Sequence, residues 1–129
     1  MLTGSCLCGK VRYQINGPVY RFVHCHCRTC RKVHGTVYGS SAVVQREHFQ
    51  VVSGERAISR YESSPGKYRC FCSACGTHVF AQKREEIFLR IGTLDSDPGI
   101  RPEAHIWTSH KAPWYQLSDE LARYLEDIV

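Results

Sequence analysis

Cys25, Cys27 and Cys30, set in His24-Cys25-His26-Cys27-Arg28-Thr29-Cys30-Arg31-Lys32, have the spacing to converge on one metal ion. Cys25 and Cys27 are two residues apart, so on an extended backbone both thiols leave the same face. A tight turn then folds Cys30 back beside Cys27. Three sulfurs meeting at one point suit a tetrahedral zinc ion with its fourth corner unfilled, the arrangement that distinguishes a reactive zinc from a structural one. The spacing recurs 45 residues on as Cys70-Phe71-Cys72-Ser73-Ala74-Cys75, and a C-x-C-G opens the sequence at Cys6-Leu7-Cys8-Gly9. All eight cysteines belong to these three groups.

Two-residue cysteine spacings favour metal over disulfide, because Cys25 and Cys27 on one strand cannot bridge without strain. Met1 to Ser5 carry neither a basic n-region nor an apolar h-region, so no secretory signal is expected and the reducing cytoplasm is the expected compartment. No apolar run approaches membrane-spanning length. The formal charge of +5 suggests a nucleic-acid partner only until the thiolates are counted. Eight zinc-bound thiolates and two Zn²⁺ ions together subtract four charges and leave +1. The basic residues are also scattered rather than striped, so nucleic acid is not an expected partner.

The elements that must hold these cysteines read as short strands. Residues 10–16 alternate, with Val11, Tyr13 and Ile15 on one face, and Gly17-Pro18 closes them. Val19 to Val23 lead into the central cluster, and Arg28 to His34 form a helical turn that Gly35 stops. Residues 36–44 are a strand interrupted at Gly39; Phe49 to Val52 and Ala57 to Tyr61 are two more. Lys67 to Phe71 and Thr77 to Gln82 are hairpin arms around the Cys72–Cys75 turn, and Glu86 to Ile91 place Ile87, Leu89 and Ile91 on one face. Thr93 to Pro113 read as irregular. Ser118 offers an N-cap with Asp119 and Glu120 in the first turn and Leu121, Leu125 and Ile128 on one face, so a short C-terminal helix is expected there. The pattern is all-β, with residues 1–129 as one zinc-binding domain whose small core needs the metal.

The ordered set Cys6-x-Cys8-Gly9-x-Val11-x-Tyr13, Cys25-His26-Cys27-x-x-Cys30-Arg31, Tyr61-x-Ser63-Ser64 and Phe71-Cys72-x-x-Cys75-Gly76 resembles the glutathione-dependent formaldehyde-activating enzyme family, whose domain is shared with centromere protein V. Gly92-Thr93-Leu94-Asp95, His105-Ile106-Trp107 and Pro113-Trp114 follow in the same order, so the resemblance runs from about Gly4 to about Tyr124. It implies a β-tent of antiparallel sheets stapled by two zinc ions. Cys6, Cys8, Cys72 and Cys75 are the implied structural site, and Cys25, Cys27 and Cys30 the implied open, catalytic one. The implied activity is that of a carbon–sulfur lyase of the S-(hydroxymethyl)glutathione synthase type, joining glutathione or another thiol to formaldehyde or cleaving the adduct. An open three-thiolate zinc suits that chemistry, since a thiol entering the free corner binds as the thiolate that adds to an aldehyde.

Several residues carry two readings. Cys70 shares a face with Cys72 and either closes the second zinc site or is a buried free thiol; the buried thiol is favoured. His26 points opposite to the thiols, as a substrate-side group or a packed, hydrogen-bonded histidine. His105 and Trp107 line a substrate pocket or belong to the core. Arg31, with Arg28 and Lys32, attracts the carboxylates of glutathione or is solvated. The competing function is a non-catalytic zinc-stabilised module that binds a protein or nucleic-acid partner.

Overall fold

Short stretches in which buried and open side chains alternate build two sheets. The computed structural model describes residues 1–128. The smaller sheet is antiparallel, β1 (Leu2–Ser5), β2 (Arg12–Ile15) and β5 (Phe49–Ser53), in the order β1-β2-β5. The larger sheet contains β3 (Tyr20–Cys25), β4 (Gly39–Gln45), β6 (Ile58–Ser64), β7 (Lys67–Cys72), β8 (His78–Lys83), β9 (Glu86–Arg90), β10 (Ala104–Ile106) and β11 (Ala122–Arg123). Its order is β11-β10-β3-β4-β9-β8-β7-β6. The sheets are tied where Gly4 bridges Leu94 and the Asp95 amide donates to the Thr3 carbonyl at 2.9 Å.

The main core lies between the sheets. Tyr13 and Ile15 of β2 meet Val44, Val79, Phe80, Ile87 and Leu89 of the larger one. Burying a side chain of this size stabilises by about 1.5–3 kcal/mol, so this layer holds together strands too short to persist alone. Tyr13 sets the spacing: a Cβ on Gly4 would overlap its ring, and its hydroxyl pairs with Thr93 Oγ1 at 2.7 Å. A second cluster, Val23, Cys25, Cys30, Ala104 and Ile106, sits at the β3–β10 end and contains two of the central cysteines.

Among the described residues the one α-helix, α1 (Arg28–His34), follows Cys25 and Cys27, contains Cys30 and ends at Gly35 in the left-handed region (φ 60°), as the sequence indicates. The expected C-terminal helix from Ser118 does not form. Its backbone groups are engaged elsewhere: the Tyr124 amide donates to the His105 carbonyl at 2.9 Å, and the Glu126 and Leu125 carbonyls accept from the Trp107 and Ser109 amides. The Asp119 carboxylate accepts from the Leu121 amide and also meets His105, while Leu125 is exposed. A helix this short is marginal without a buried face, and pairing against the β10 end satisfies the same backbone groups. The sheet is mixed, since β10 runs parallel to both β3 and β11, where the resemblance implies antiparallel sheets. β10 also corrects the irregular reading of Thr93 to Pro113. All three of its residues are buried, so it offers no alternation to read.

Candidate functional site

Cys6 and Cys8 lie in the turn after β1. The Gly9 amide closes it onto the Cys6 carbonyl at 3.0 Å, and the Val11 amide donates to Cys6 Sγ at 3.2 Å. Cys72 ends β7, and the knuckle to Cys75 is closed by the Gly76 amide on the Cys72 carbonyl at 2.7 Å, with Gly76 at φ 78°. These two turns, separated by more than sixty residues, bring four sulfurs within 4.8 Å of one another. Cys6 to Cys8 is 3.6 Å and Cys8 to Cys72 is 3.9 Å. Four sulfurs at zinc–sulfur bonds of about 2.3 Å would stand about 3.8 Å apart. The set therefore fits a tetrahedral ion. The Thr77 hydroxyl, then the Cys8 and Thr77 amides, lower the Cys75 thiol to about 5.

Cys25 ends β3, Cys27 caps α1 and Cys30 lies inside it. Cys27 Sγ accepts from the Cys30 amide at 3.3 Å, so the helix start fixes the C-x-x-C turn. The three sulfurs lie within 4.8 Å of one another, and no fourth His, Cys, Asp or Glu among the described residues joins them. Three soft ligands with one open side fit a four-coordinate metal whose last position takes a small molecule. Arg69, a buried residue of β7, reaches Cys30 Sγ with Nη1 at 3.9 Å and is anchored by its Nε on Ser63 Oγ at 3.0 Å. Hydrogen bonding from Cys25 and Cys27 pulls the Cys30 thiol far below its ordinary value, against burial and with help from Arg69 and Arg90. The same contacts, with burial, push Cys25 far up. Three thiols this close ionise together only when a cation shares their charge.

Cys25 and Cys27 open onto a cavity of about 130 Å³ also lined by Arg21, Lys67, Arg90 and Trp107. A larger hollow of about 350 Å³, between Phe49, Phe80, Ile87 and Arg60, is lined by no cysteine or histidine. The smaller cavity carries the chemistry, because the sulfurs open into it. Two of the three non-glycine residues with positive φ line it, Arg21 at 52° and Trp107 at 56°. Such conformations cost about 1–3 kcal/mol each and persist only where packing imposes them.

Behind the cysteines, on the opposite face of β3, lies a chain of polar side chains. His26 Nε2 meets His105 Nδ1 at 2.8 Å, and His105 Nε2 meets Asp119 Oδ2 at 2.8 Å. A carboxylate at Nε2 assigns the proton there, leaving His105 Nδ1 to accept from His26 Nε2–H. Both rings are fully buried. Burial, then the neighbouring His105, lowers His26 to about 4, so this ring is neutral near pH 7.

Of the residues singled out from sequence, Trp107 lines the cavity with Cys25 and Cys27, whereas His26 and His105 lie behind them. Arg31 donates from Nη1 to the His110 carbonyl at 2.7 Å, pinning α1 to that turn away from the cavity. Cys70 belongs to neither sulfur group; it is buried in the main core with its thiol toward the Tyr68 carbonyl at 3.8 Å. Sequence reading passed over Asp119 as a helix acid and did not register Arg21, Lys67, Arg69 or Arg90.

Comparison with known proteins follows the same residues. A family model described as glutathione-dependent formaldehyde-activating enzyme matches residues 1–110. A Halomonas elongata protein that carries that name provisionally is 32% identical over 128 residues, covering 91% of this chain and 81% of its own length. A crystal structure of a Rhodobacter sphaeroides protein, 24% identical, superposes with a TM-score of 0.63 over 78% of this chain and 91% of that one, a likeness of fold. Among the described residues, no helix is long and apolar enough to cross a membrane.

Proposed function

The chain belongs to the glutathione-dependent formaldehyde-activating enzyme family, and from that premise we propose that it is a zinc carbon–sulfur lyase acting on a thiol–aldehyde adduct, with glutathione and formaldehyde as the default pair. The observation that carries the reading is the opening of Cys25 and Cys27 onto a cavity beside Cys30 with no fourth protein ligand among the described residues. Cys25, Cys27 and Cys30 would hold the reactive zinc, and Cys6, Cys8, Cys72 and Cys75 the structural one, within one cytoplasmic domain spanning residues 1–129. Zinc held by three thiolates supplies Lewis acidity for keeping an incoming thiol ionised at neutral pH.

The chain's own residues do the rest. Arg69 balances charge at Cys30, so the sulfurs stay ionised in a buried setting. Trp107 walls the cavity and narrows it, holding the reactants together and limiting water. The Asp119–His105–His26 chain fixes the peptide between Cys25 and Cys27 from behind and so holds two sulfurs in register; His26 and His105 are thus positioning residues. In synthesis the thiol sulfur donates its pair to the aldehyde carbon, forming the C–S bond. The carbonyl π pair moves to oxygen, which takes up the proton lost by the thiol; cleavage reverses each step.

Exchange spectroscopy with ¹³C-formaldehyde and glutathione tests this. The protein should accelerate exchange between hydrated formaldehyde and S-hydroxymethylglutathione, and Cys27→Ser should remove the acceleration. Exchange at the uncatalysed rate with fully metallated protein would favour the non-catalytic binding module.

A further inference from the structure

Among the described residues, the ion pairs are His48–Glu47, Arg101–Asp97 and His105–Asp119. None involves the four cations gathered around the Cys25–Cys27–Cys30 group. Arg69 is engaged by Ser63 and Cys30. Arg21, Lys67 and Arg90 line the cavity itself. Arg90 is the informative one: it is only 8% exposed, yet its Nη2 has no hydrogen-bond partner. Buried polar groups without a partner are rare, and a buried guanidinium nitrogen is among the most costly to leave so. Burial, with Arg69 next, pulls Arg90 down to about 10, and burial with Arg69 and Arg90 pulls Lys67 below its ordinary value. Lys67 Nζ sits 4.4 Å over the Phe88 ring, which lines the same cavity. Arg21 reaches it from a left-handed backbone, where β3 slips register against β4. The acidic residue of the lining is Asp127, which is exposed.

Charge and volume then narrow the ligand. A divalent metal with three thiolates carries one net negative charge. The four cations, less Asp127, outweigh it by two. A thiolate that also bears one carboxylate supplies those two negative charges; a plain thiol or a neutral aldehyde does not. The volume of about 130 Å³ is small beside the roughly 300–1,000 Å³ of pockets that enclose a whole drug-sized ligand, so the cavity takes a carboxylate on a short linker rather than an entire tripeptide.

We propose that Arg90, Lys67 and Arg21 form a carboxylate subsite beside the free corner of the Cys25–Cys27–Cys30 centre, so that the substrate is an acid whose sulfur and carboxylate enter one cavity. The inference rests on the reading of that centre as an open metal site that takes a thiol. The carboxylate comes from either the glycine end of glutathione or a small thiol acid.

Calorimetric titration of the zinc-loaded full chain at low salt, with two ligand pairs, tests it. 3-Mercaptopropionate should bind at least about tenfold more tightly than 2-mercaptoethanol, the effect expected of charge-assisted hydrogen bonds. Glutathione should exceed its glycine ethyl ester by a similar factor if its glycine end is the source; discrimination in the first pair alone identifies a small thiol acid. Arg90→Gln should bring the ratio to within about twofold of unity. Lys67→Gln, at a half-buried position, should reduce it about threefold and serves if Arg90→Gln does not fold. Equal binding within both pairs, or discrimination that survives substitution, overturns the subsite. Should no thiol bind, the open-centre reading fails, and the subsite is decided by propionate and ¹⁵N-labelled protein. A shifted Arg90 Nε–H resonance supports it, and an unmoved one overturns it.

Discussion

The two sulfur groups use the same donor atom and differ in almost everything else. One joins two turns more than sixty residues apart, with Cys6 and Cys72 buried, Cys8 at the surface and sulfur spacings that match a closed tetrahedron. The other is confined to six consecutive residues, with Cys25 and Cys30 buried, and opens onto a cavity rich in unpaired cations. A metal at the first links distant chain segments, where a cross-link removes most freedom from the unfolded state. A metal at the second closes only a short loop, so it contributes little to the fold and is left available for a ligand. Donor type alone does not separate a staple from a reactive centre; sequence separation and the charge around the sulfurs do.

The largest expected effect follows from that division. Cys72→Ser or Cys75→Ser should cost about 4 kcal/mol or more and leave little folded protein at moderate temperature, whereas Cys30→Ser should cost about half as much. Thermal unfolding followed by circular dichroism checks this, and equal losses at the two groups would erase the distinction. Next, protein purified without added metal should contain two zinc ions per chain by elemental analysis. A mild chelator should remove one with little change in melting temperature and the second only with unfolding. Loss of both ions together would argue for a single coupled unit.

A smaller effect concerns the support behind the open group. Asp119→Asn leaves His105 without its carboxylate and should cost about 1–2 kcal/mol. It should loosen the second metal while leaving the first untouched, as competition with a metal indicator would report. The smallest is a pH limb. Burial lowers both His26 and His34 to about 4, aided by His105 and by Arg90 respectively. Between about 4 and the ordinary 6.5 the unfolded chain therefore binds more protons than the folded one. The stability these neutral rings contribute is complete above about 6.5 and is lost as pH falls toward 4. Urea midpoints across that range should decline, and a flat profile would contradict the assignment.

Most of the strands and both sulfur groups were legible because each rests on local information: alternation at Val11, Tyr13 and Ile15, the stop at Gly35, the two-residue cysteine spacings. What escaped depends on contacts between distant segments. Ser118 to Ile128 carry an acceptable helix pattern, yet the Tyr124 amide and the carbonyls of Tyr124, Leu125 and Glu126 pair with the β10 end and the turn after it, a partner that no local rule supplies. β10 itself is buried on every residue and has no period. The cations of the cavity come from β3, β7 and β9, and each alone reads as an ordinary surface charge on a strand. Only their convergence on Cys25 and Cys27, with Asp127 as the one carboxylate of the lining, marks them.

The claim that most needs testing is that Cys25, Cys27 and Cys30 hold a metal with one corner free. Replacing zinc by cobalt makes the corner visible, since sulfur-to-cobalt charge transfer strengthens with each added thiolate. Glutathione added to the cobalt protein should raise that absorption by the increment of one sulfur, more readily as pH rises toward the thiol's own pKa, because the ligand must lose its proton to bind. S-Methylglutathione, which has no ionisable thiol, should leave it unchanged. A spectrum indifferent to glutathione in fully loaded protein would contradict an open centre for this thiol.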